Sequence, residues 1–301
     1  MKRNTVAPPT QQKDTLTAEE IFSVFPDLIF VLDADYIILE YRAGNVSDLY
    51  IPPHEFLGKS MCDLLPEAPA NAIRSSILTV KKSKNMDITE YQLEISKEPK
   101  WFEARISQST TNRFIMLVRD VTKTKEKQAH VQYQATHDNL TGLYNRAFAL
   151  DYLAQKLKEA SRQSKTLSVF FIDLDNFKEV NDQFGHEYGD EVLISVANTL
   201  QAAVREQDLV SRIGGDEFII GFSGSSTKEQ LLEIADKLDG ALNILTAQLN
   251  LSFELSISIG IASCEFGELT ASELIRRADM AMYHKKRHGK HGATFYDESM
   301  H

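Results

Sequence analysis

Apolar residues in the first 121 positions fall into short runs separated by polar residues and turn signals. The runs Leu28–Leu32 and Tyr36–Tyr41 flank Asp33-Ala34-Asp35, which is typical of a hairpin turn. Helical stretches are predicted at Ile21–Phe25 and Ala70–Lys82, and three more strand-like runs at Met86–Ile95, Trp101–Ser107 and Arg113–Arg119. Two strands, short helices and three strands predict an α+β domain, in which an antiparallel sheet carries helices on one side.

From Asp138 onward, apolar positions alternate between helical and strand periodicity. Helices are predicted at Ala147–Ser161, Tyr188–Arg205, Lys228–Leu245 and Ala271–Lys286. Strands are predicted at Thr166–Leu174, Leu209–Ile213, Phe218–Phe222 and Leu251–Ala262, with Gly214-Gly215 as a hairpin turn between the second and the third. This order predicts a mixed α/β domain whose central sheet is covered by helices.

The segment between these two patterns, Asp120–Asp138, contains no Gly or Pro and few apolar residues. It predicts a connecting helix, but its apolar seam is too thin to establish a coiled coil, so a solvated linker and a helix paired in a dimer both stay open. We therefore divide the chain into an N-terminal arm (1–16), the α+β domain (17–121), a helical linker (122–137) and the α/β domain (138–301).

Composition narrows the function classes. The formal net charge of −10 argues against general affinity for nucleic acid or anionic membranes, although Lys285–Lys290 is a local basic cluster. The apolar runs are shorter than the ~20 residues of a membrane helix, and the N-terminus lacks the apolar region of a signal peptide. We therefore expect a cytoplasmic protein without membrane insertion. Cys62 and Cys264 have no metal-binding spacing.

Acidic residues stand at two places where a fold normally avoids them. The apolar strand Phe170–Asp175 ends in carboxylates, and alternation puts Phe171 and Asp173 on one face with Ile172 on the other. The turn Gly214–Phe218 carries two more acids. Together they predict an oxygen-ligand site of the kind that Mg²⁺ prefers for phosphoryl transfer. Taken singly, the first is more often a turn or helix cap, and the second could be an exposed hairpin.

The α+β domain resembles a PAS sensor domain. The resemblance is carried by FPDLIFVLDADYIILEYRAGN, then FLGKSMCDLLPE, then KWFEARIS, and then the exit DVTKTKEKQ. Another small α+β domain is the alternative. His54, the only histidine of this domain, lies in a loop, and Cys62 lacks the Gly-x-Asn-Cys context of photoreactive flavin cysteines. We therefore expect neither haem nor flavin; a small apolar ligand, or none, stays open.

The α/β domain resembles the GGDEF family of diguanylate cyclases, whose fold is a palm-like nucleotidyl-cyclase sheet with an active-site hairpin. The resemblance rests on GGDEF (Gly214–Phe218), preceded by HDNLTGLYNR and FFIDLDNFKEVNDQFGHEYGDE. It implies two Mg²⁺ or Mn²⁺ ions per GTP, held by Asp173, the Leu174 carbonyl, Asp216 and Glu217. It implies guanine recognition by Asn181 and Asp190. It implies triphosphate contacts from Asn176, Phe177, Lys178, Lys286 and Lys290, with Asp216, Glu217 and Lys178 as catalytic residues.

The resemblance also implies a reaction and its control. Two GTP molecules, one on each chain of a homodimer, would condense to cyclic di-GMP with release of two pyrophosphates. Arg205 and Asp208 resemble an inhibitory product site, although an Arg and an Asp three residues apart are usually just a local ion pair. The family arginine that often assists this site is Lys237 here, and its final Gly-Arg-Asn is Gly289-Lys290-His291. A catalytically dead nucleotide receptor and a sensory scaffold are the rival functions.

Overall fold

The computed structural model describes residues 27–43, 49–163, 166–224, 227–249, 255–265 and 269–300, with only the backbone for 161–163. The chain divides into two compact units, Met1–Ala129 and His130–His301. The predicted helix Ile21–Phe25 lies outside the described residues. Among those residues, no helix is both long and apolar enough to cross a membrane.

The first unit is built on a five-stranded antiparallel sheet. Its elements are β1 (Leu28–Leu32), β2 (Ile38–Ala43), α1 (Pro53–Phe56), α2 (Met61–Leu64), α3 (Glu67–Ser83), β3 (Asp87–Ile95), β4 (Glu98–Gln108) and β5 (Phe114–Asp120). The strands lie in the order β2-β1-β5-β4-β3. Ile73, Ile77 and Val80 of α3 pack with alternate strand residues into one core. The helix α4 (Thr122–Thr136) follows β5.

The first hairpin is wider than its sequence suggested. Both Asp35 and Ile37 donate backbone N–H groups to the Asp33 carboxylate, each at 2.9 Å. Tyr36 takes a left-handed conformation with φ 66°. Because the side chain of Asp33 organises the loop as far as Ile37, β2 begins at Ile38 and not at Tyr36.

The second unit is built on a mixed five-stranded sheet with the order β10-β9-β6-β8-β7. Its elements are α5 (Arg146–Gln163), β6 (Thr166–Asp175), α6 (Phe177–Phe184), α7 (His186–Ala203), β7 (Leu209–Gly214), β8 (Glu217–Ser223), α8 (Lys228–Gln248), β9 (Ser256–Glu265), α9 (Ala271–Arg287) and β10 (Gly292–Phe295). Among the strands of the described residues, β10 and β9 form the parallel pair of this sheet, and the other neighbours are antiparallel. The helix α6 was not predicted, because its eight residues are too short to show a clear period.

Helices cover both faces of this second sheet. Phe170 and Ile172 of β6 pack with the apolar residues of α6, α7 and α8. Phe171 packs on the opposite face with residues of α5 and α9. The predicted alternation along β6 is therefore confirmed.

Close contact between α9 and β9 depends on Gly260. A Cβ atom at this position would overlap the backbone of Ala278 and Met282 in α9. The missing side chain lets the helix lie directly on the strand. As a result, the C-terminal turn of α9, which carries Lys286, lies at the end of β6.

Candidate active site

The carboxylate of Asp173 lies near the end of the central strand β6, two residues before its last residue. In register, Asp173 stands opposite Glu217 of β8 on one side and Ser258 of β9 on the other. Lys286 of α9 donates a hydrogen bond from Nζ to Asp173 Oδ1. Burial, with added repulsion from Asp216 and Glu217, raises the pKa of Asp173 to about 6 even though Lys286 opposes the shift. The side chain is thus an acid that the fold leaves only partly compensated.

The hairpin between β7 and β8 brings two further acids beside this strand end. Its turn consists of Gly215 and Asp216, since Gly214 pairs with Glu217; the predicted turn at Gly214-Gly215 was one residue early. Gly215 has φ 55°, which glycine adopts at no steric cost. The Leu174 N–H donates to the Asp216 carbonyl at 3.3 Å, so backbone contact joins the turn to β6.

Glu217 follows the turn, and its environment is also acidic. Burial raises the pKa of Glu217, and Asp279 of α9 and then Asp216 raise it further. Burial likewise raises the pKa of Asp279. Asp279 was missed from the sequence, although its place seven residues before Lys286 puts both on one face of the helix. Carboxylates gathered with raised pKa values are typical of a functional site.

Arg212 of β7 joins the hairpin to the start of the domain. Its Nε and Nη2 donate to the Gly215 carbonyl at 3.0 and 2.8 Å. Its Nη1 donates to Asp138 Oδ1 at 2.9 Å. Thr141 also donates to Asp138, and these bonds lower the pKa of the Asp138 carboxyl although burial opposes them. One guanidinium therefore fixes the carbonyl that immediately precedes Asp216, a role that the sequence did not reveal.

The turn after β6 provides the predicted triphosphate-binding groups. Asn176 has φ 65° and precedes the first turn of α6, where Phe177 is buried and Lys178 is exposed. Lys290 donates from Nζ to Asn176 Oδ1 at 2.8 Å. The structure thus brings the α6 N-terminus and Lys290 together. The last residues of β6 lead to this turn from Asp173, which contacts Lys286.

The two predicted guanine-binding residues come from different helices. Asn181 lies on α6, and its side chain packs against Gly189 of α7, where any Cβ would overlap it. Asp190 is the next residue and is exposed. Glycine at position 189 therefore permits the close approach of the Asn181 side chain to α7, one residue before Asp190.

The predicted product site forms a separate pocket of about 520 Å³, lined by Arg205, Asp208, Lys237 and other residues of β8 and α8. The Arg205 N–H donates to Asp208 Oδ2 at 3.0 Å, so Asp208 organises the backbone turn. Lys237 donates to the Ala203 carbonyl at 2.6 Å. The Arg205 side chain is exposed.

The donor set at the strand end fits a hard divalent cation, since it consists of carboxylate and carbonyl oxygens. The acids lie near enough for Asp216 and Glu217 both to raise the pKa of Asp173. Within the described part of the chain, no three acidic, histidine or cysteine side chains are close enough to hold a metal ion. The cation that meets Asp173 in the structure is the Lys286 ammonium group.

The first unit contains an apolar cavity of about 60 Å³ between its sheet and short helices, lined among others by Phe30, Phe56 and Met116. Tyr91 also lines it, and burial raises the pKa of its phenol. Burial raises the pKa of the Cys62 thiol as well. The expectation of neither haem nor flavin here stays a prediction.

Both units of the chain are similar to known protein families. The matching segment is 39% identical over 172 residues to the diguanylate cyclase TpbB of Pseudomonas aeruginosa, covering 56% of this chain and 39% of that protein. It is 40% identical over 166 residues to the bifunctional diguanylate cyclase/cyclic di-GMP phosphodiesterase MucR of the same species, covering 55% of this chain and 24% of that protein. The chain thus spans well under half the length of these relatives.

A solved structure of the coiled coil and GGDEF domain of DgcB from Caulobacter crescentus, in complex with c-di-GMP, has a TM-score of 0.51. It is 28% identical and covers 58% of this chain and 93% of that one. A family model described as PAS fold matches residues 22–126. The family model of the diguanylate cyclase GGDEF domain matches residues 135–292, and the chain therefore belongs to the GGDEF family of diguanylate cyclases.

Proposed function

We propose that this chain condenses two GTP molecules into cyclic di-GMP and two pyrophosphates. The observation that carries the proposal is the strand-end carboxylate of Asp173, which meets Lys286 and lies beside the hairpin acids. The relatives and the solved structure named above support it: TpbB is a diguanylate cyclase, and the DgcB domain was solved with c-di-GMP.

In the proposed reaction, the 3′-oxygen of one GTP attacks the α-phosphorus of the other. The bond from that phosphorus to the oxygen bridging to the β-phosphate breaks, and pyrophosphate leaves. Asp216 accepts the proton of the attacking hydroxyl, and a second round closes the ring. Bound Mg²⁺ or Mn²⁺, held by Asp173, the Leu174 carbonyl, Asp216 and Glu217, would supply positive charge against the transferring phosphate.

The remaining groups bind and orient the nucleotide. Asn181 and Asp190 present an amide and a carboxylate that suit the acceptor and donor edges of guanine. The N–H groups of Asn176, Phe177 and Lys178 at the start of α6 suit a phosphate, because they carry the positive end of the helix dipole. Lys286 and Lys290 add charge near the strand end. Lys178 is exposed, so its ammonium group can turn toward the phosphates.

Each chain would supply one such half-site, so the active form is a homodimer and the PAS unit controls how two GGDEF domains approach. Product would inhibit by binding the pocket of Arg205 and Asp208, whose guanidinium and carboxylate suit phosphate and guanine. The domain boundaries at 16, 121 and 137, and a cytoplasmic location, stay predictions from the sequence.

The test incubates the purified chain with GTP and Mg²⁺ and measures cyclic di-GMP and pyrophosphate by chromatography. We expect product at a rate per chain that rises with chain concentration, and none from Asp216→Ala. A matched control, Asp208→Ala, alters an acid of the same unit and should keep synthesis while weakening inhibition by added product. A wild-type chain that binds GTP as a dimer yet yields no product would falsify the proposal. That result would favour a catalytically inactive nucleotide receptor.

A further inference from the structure

Asp175 is a buried acid that the proposed reaction does not use. It is the last residue of β6, two positions beyond Asp173, and only 1% of it is exposed. A carboxylate at such a position is costly to desolvate unless donors surround it. Its partners therefore indicate what it does.

Three hydrogen-bond donors from three residues meet this carboxylate, and one of them is shared between its two oxygens. Ser256 Oγ donates to Oδ2 at 3.1 Å, and Ser258 Oγ lies 3.0 Å from Oδ1 and 2.9 Å from Oδ2. The backbone N–H of His291 donates to Oδ2 at 3.2 Å. The serines belong to the neighbouring strand β9, whereas His291 lies beyond α9, in the turn before β10. Asp175 therefore ties that turn to the central strand.

The turn, Gly289–His291, adopts a backbone conformation that needs support. Lys290 and His291 have φ values of 52° and 48°, in the left-handed region that residues with a Cβ rarely occupy. On one side the turn is held by the Lys290 N–H, which donates to the Lys285 carbonyl at 3.2 Å. On the other side it is held by Asp175, and the His291 imidazole lies 3.4 Å from Asp239 of α8.

This turn also carries Lys290, whose Nζ lies 2.8 Å from Asn176 Oδ1 at the start of α6. We propose that Asp175 is a positioning residue, which fixes the Gly289–His291 turn so that Lys290 faces the triphosphate of bound GTP. The inference rests on the proposed function, since Lys290 is assigned there to the nucleotide. In this role Asp175 acts indirectly, through the backbone N–H of His291.

The test measures binding of 3′-deoxy-GTP, which lacks the attacking hydroxyl, and of GMP to the full chain by isothermal titration with Mg²⁺. Asp175→Ala should weaken binding of the triphosphate about tenfold, the effect of misplacing one charge-assisted contact. It should leave GMP affinity within about twofold. Asp175→Ala combined with Lys290→Ala should bind no more weakly than Lys290→Ala alone, because one variant acts through the other.

Ser168→Ala is the matched control. Ser168 is also buried on β6, and it bonds across to Ser263 of β9 at 2.9 Å, but toward the other end of the strands. It should retain wild-type affinity for both nucleotides. If Asp175→Ala weakens GMP as much as 3′-deoxy-GTP, or if the losses of the two variants multiply, Asp175 is a structural residue only and the inference is wrong.

A second variant and a non-reacting probe separate loss of folding, loss of activity and loss of binding. Should Asp175→Ala fail to fold, Asp175→Asn retains the side-chain size and one acceptor oxygen, and it is judged by the same triphosphate-to-monophosphate comparison with a smaller loss expected. Binding of 3′-deoxy-GTP is independent of turnover. An inactive wild-type chain that binds this probe would thus overturn the proposed function and leave the role of Asp175 to be decided by the variants.

Discussion

The two units of the chain each contain a five-stranded sheet with a buried aspartate at a strand end, but they treat that charge differently. In the first unit, Asp27 precedes β1, and Arg119 of the neighbouring strand donates to both of its carboxylate oxygens, at 2.9 and 2.6 Å. In the second, Asp173 shares its surroundings with Asp216 and Glu217, and Lys286 provides the opposing charge. The fold neutralises the first acid and concentrates charge around the second.

This difference distinguishes an acid with a structural role, Asp27, from one that we propose to be functional, Asp173. A bidentate pair such as Asp27 with Arg119 satisfies its own hydrogen bonds and holds two strands together. A carboxylate with a raised pKa lowers the stability of the folded state at neutral pH and is retained where an external ligand compensates it. The cavity of the first unit is lined by apolar residues, whereas the strand end of the second unit gathers charged side chains.

The largest contrast is expected from replacing the two aspartates by asparagine. Asp173→Asn should lower the rate of cyclic di-GMP synthesis by about 100-fold or more, because it removes a group that organises charge at the reacting phosphate. It should not lower the melting temperature, since a neutral side chain is easier to bury there. Asp27→Asn should instead lower the free energy of unfolding by about 1–2 kcal/mol. The expected loss is no larger because Arg119 is exposed and solvent weakens its ion pair with Asp27.

Calorimetry and product chromatography on the same preparations measure both effects. The assignment of different roles to the two aspartates is wrong if Asp173→Asn has a lower melting temperature than the wild type and keeps its activity.

A smaller contrast is expected between the two arginines that each donate several hydrogen bonds, Arg212 in the second unit and Arg119 in the first. Arg212→Lys keeps the charge but cannot reach both the Gly215 carbonyl and Asp138, so the hairpin turn loosens. We expect kcat to fall about tenfold with KM for GTP near the wild-type value, and Asp138→Asn to add little in the double variant. Arg119→Lys is the matched change in the first unit and should affect stability without this selective loss of kcat. Equal loss of kcat in both variants would contradict the assignment.

The smallest effect is a pH dependence of stability. The folded pKa of Asp173, about 6, lies above the value near 3.9 of an unfolded chain, so the folded state binds this proton more tightly. Stability contributed by this group is therefore present below pH 4 and is lost as the pH rises toward 6.

Urea unfolding without divalent cations should show a decline on the order of 1 kcal/mol across this window, smaller in Asp173→Asn. An identical pH profile for the two proteins would place the titrating group elsewhere.

Much of the fold could be predicted because each element carries its own periodicity. The alternation along Phe170–Leu174 assigned faces that the two cores confirm. Prediction failed where side chains reshape the backbone, as at Asp33, or where the element is short, as in α6. The hairpin turn shifted by one residue because pairing of Gly214 with Glu217 extends the strands.

Local sequence determined the strands, the helices and which residues have the chemistry of a nucleotide site: the acids at 173, 216 and 217 and the lysines at 286 and 290. The structure decided how these groups are supported. Arg212 ties the hairpin to Asp138 at the start of the domain, Gly260 lets α9 approach the sheet, and Asp175 holds a turn more than a hundred residues away in the chain. Such contacts join residues that are distant in sequence. The periodicity of apolar positions describes only residues close together in the chain, so these contacts can be identified only in the folded structure.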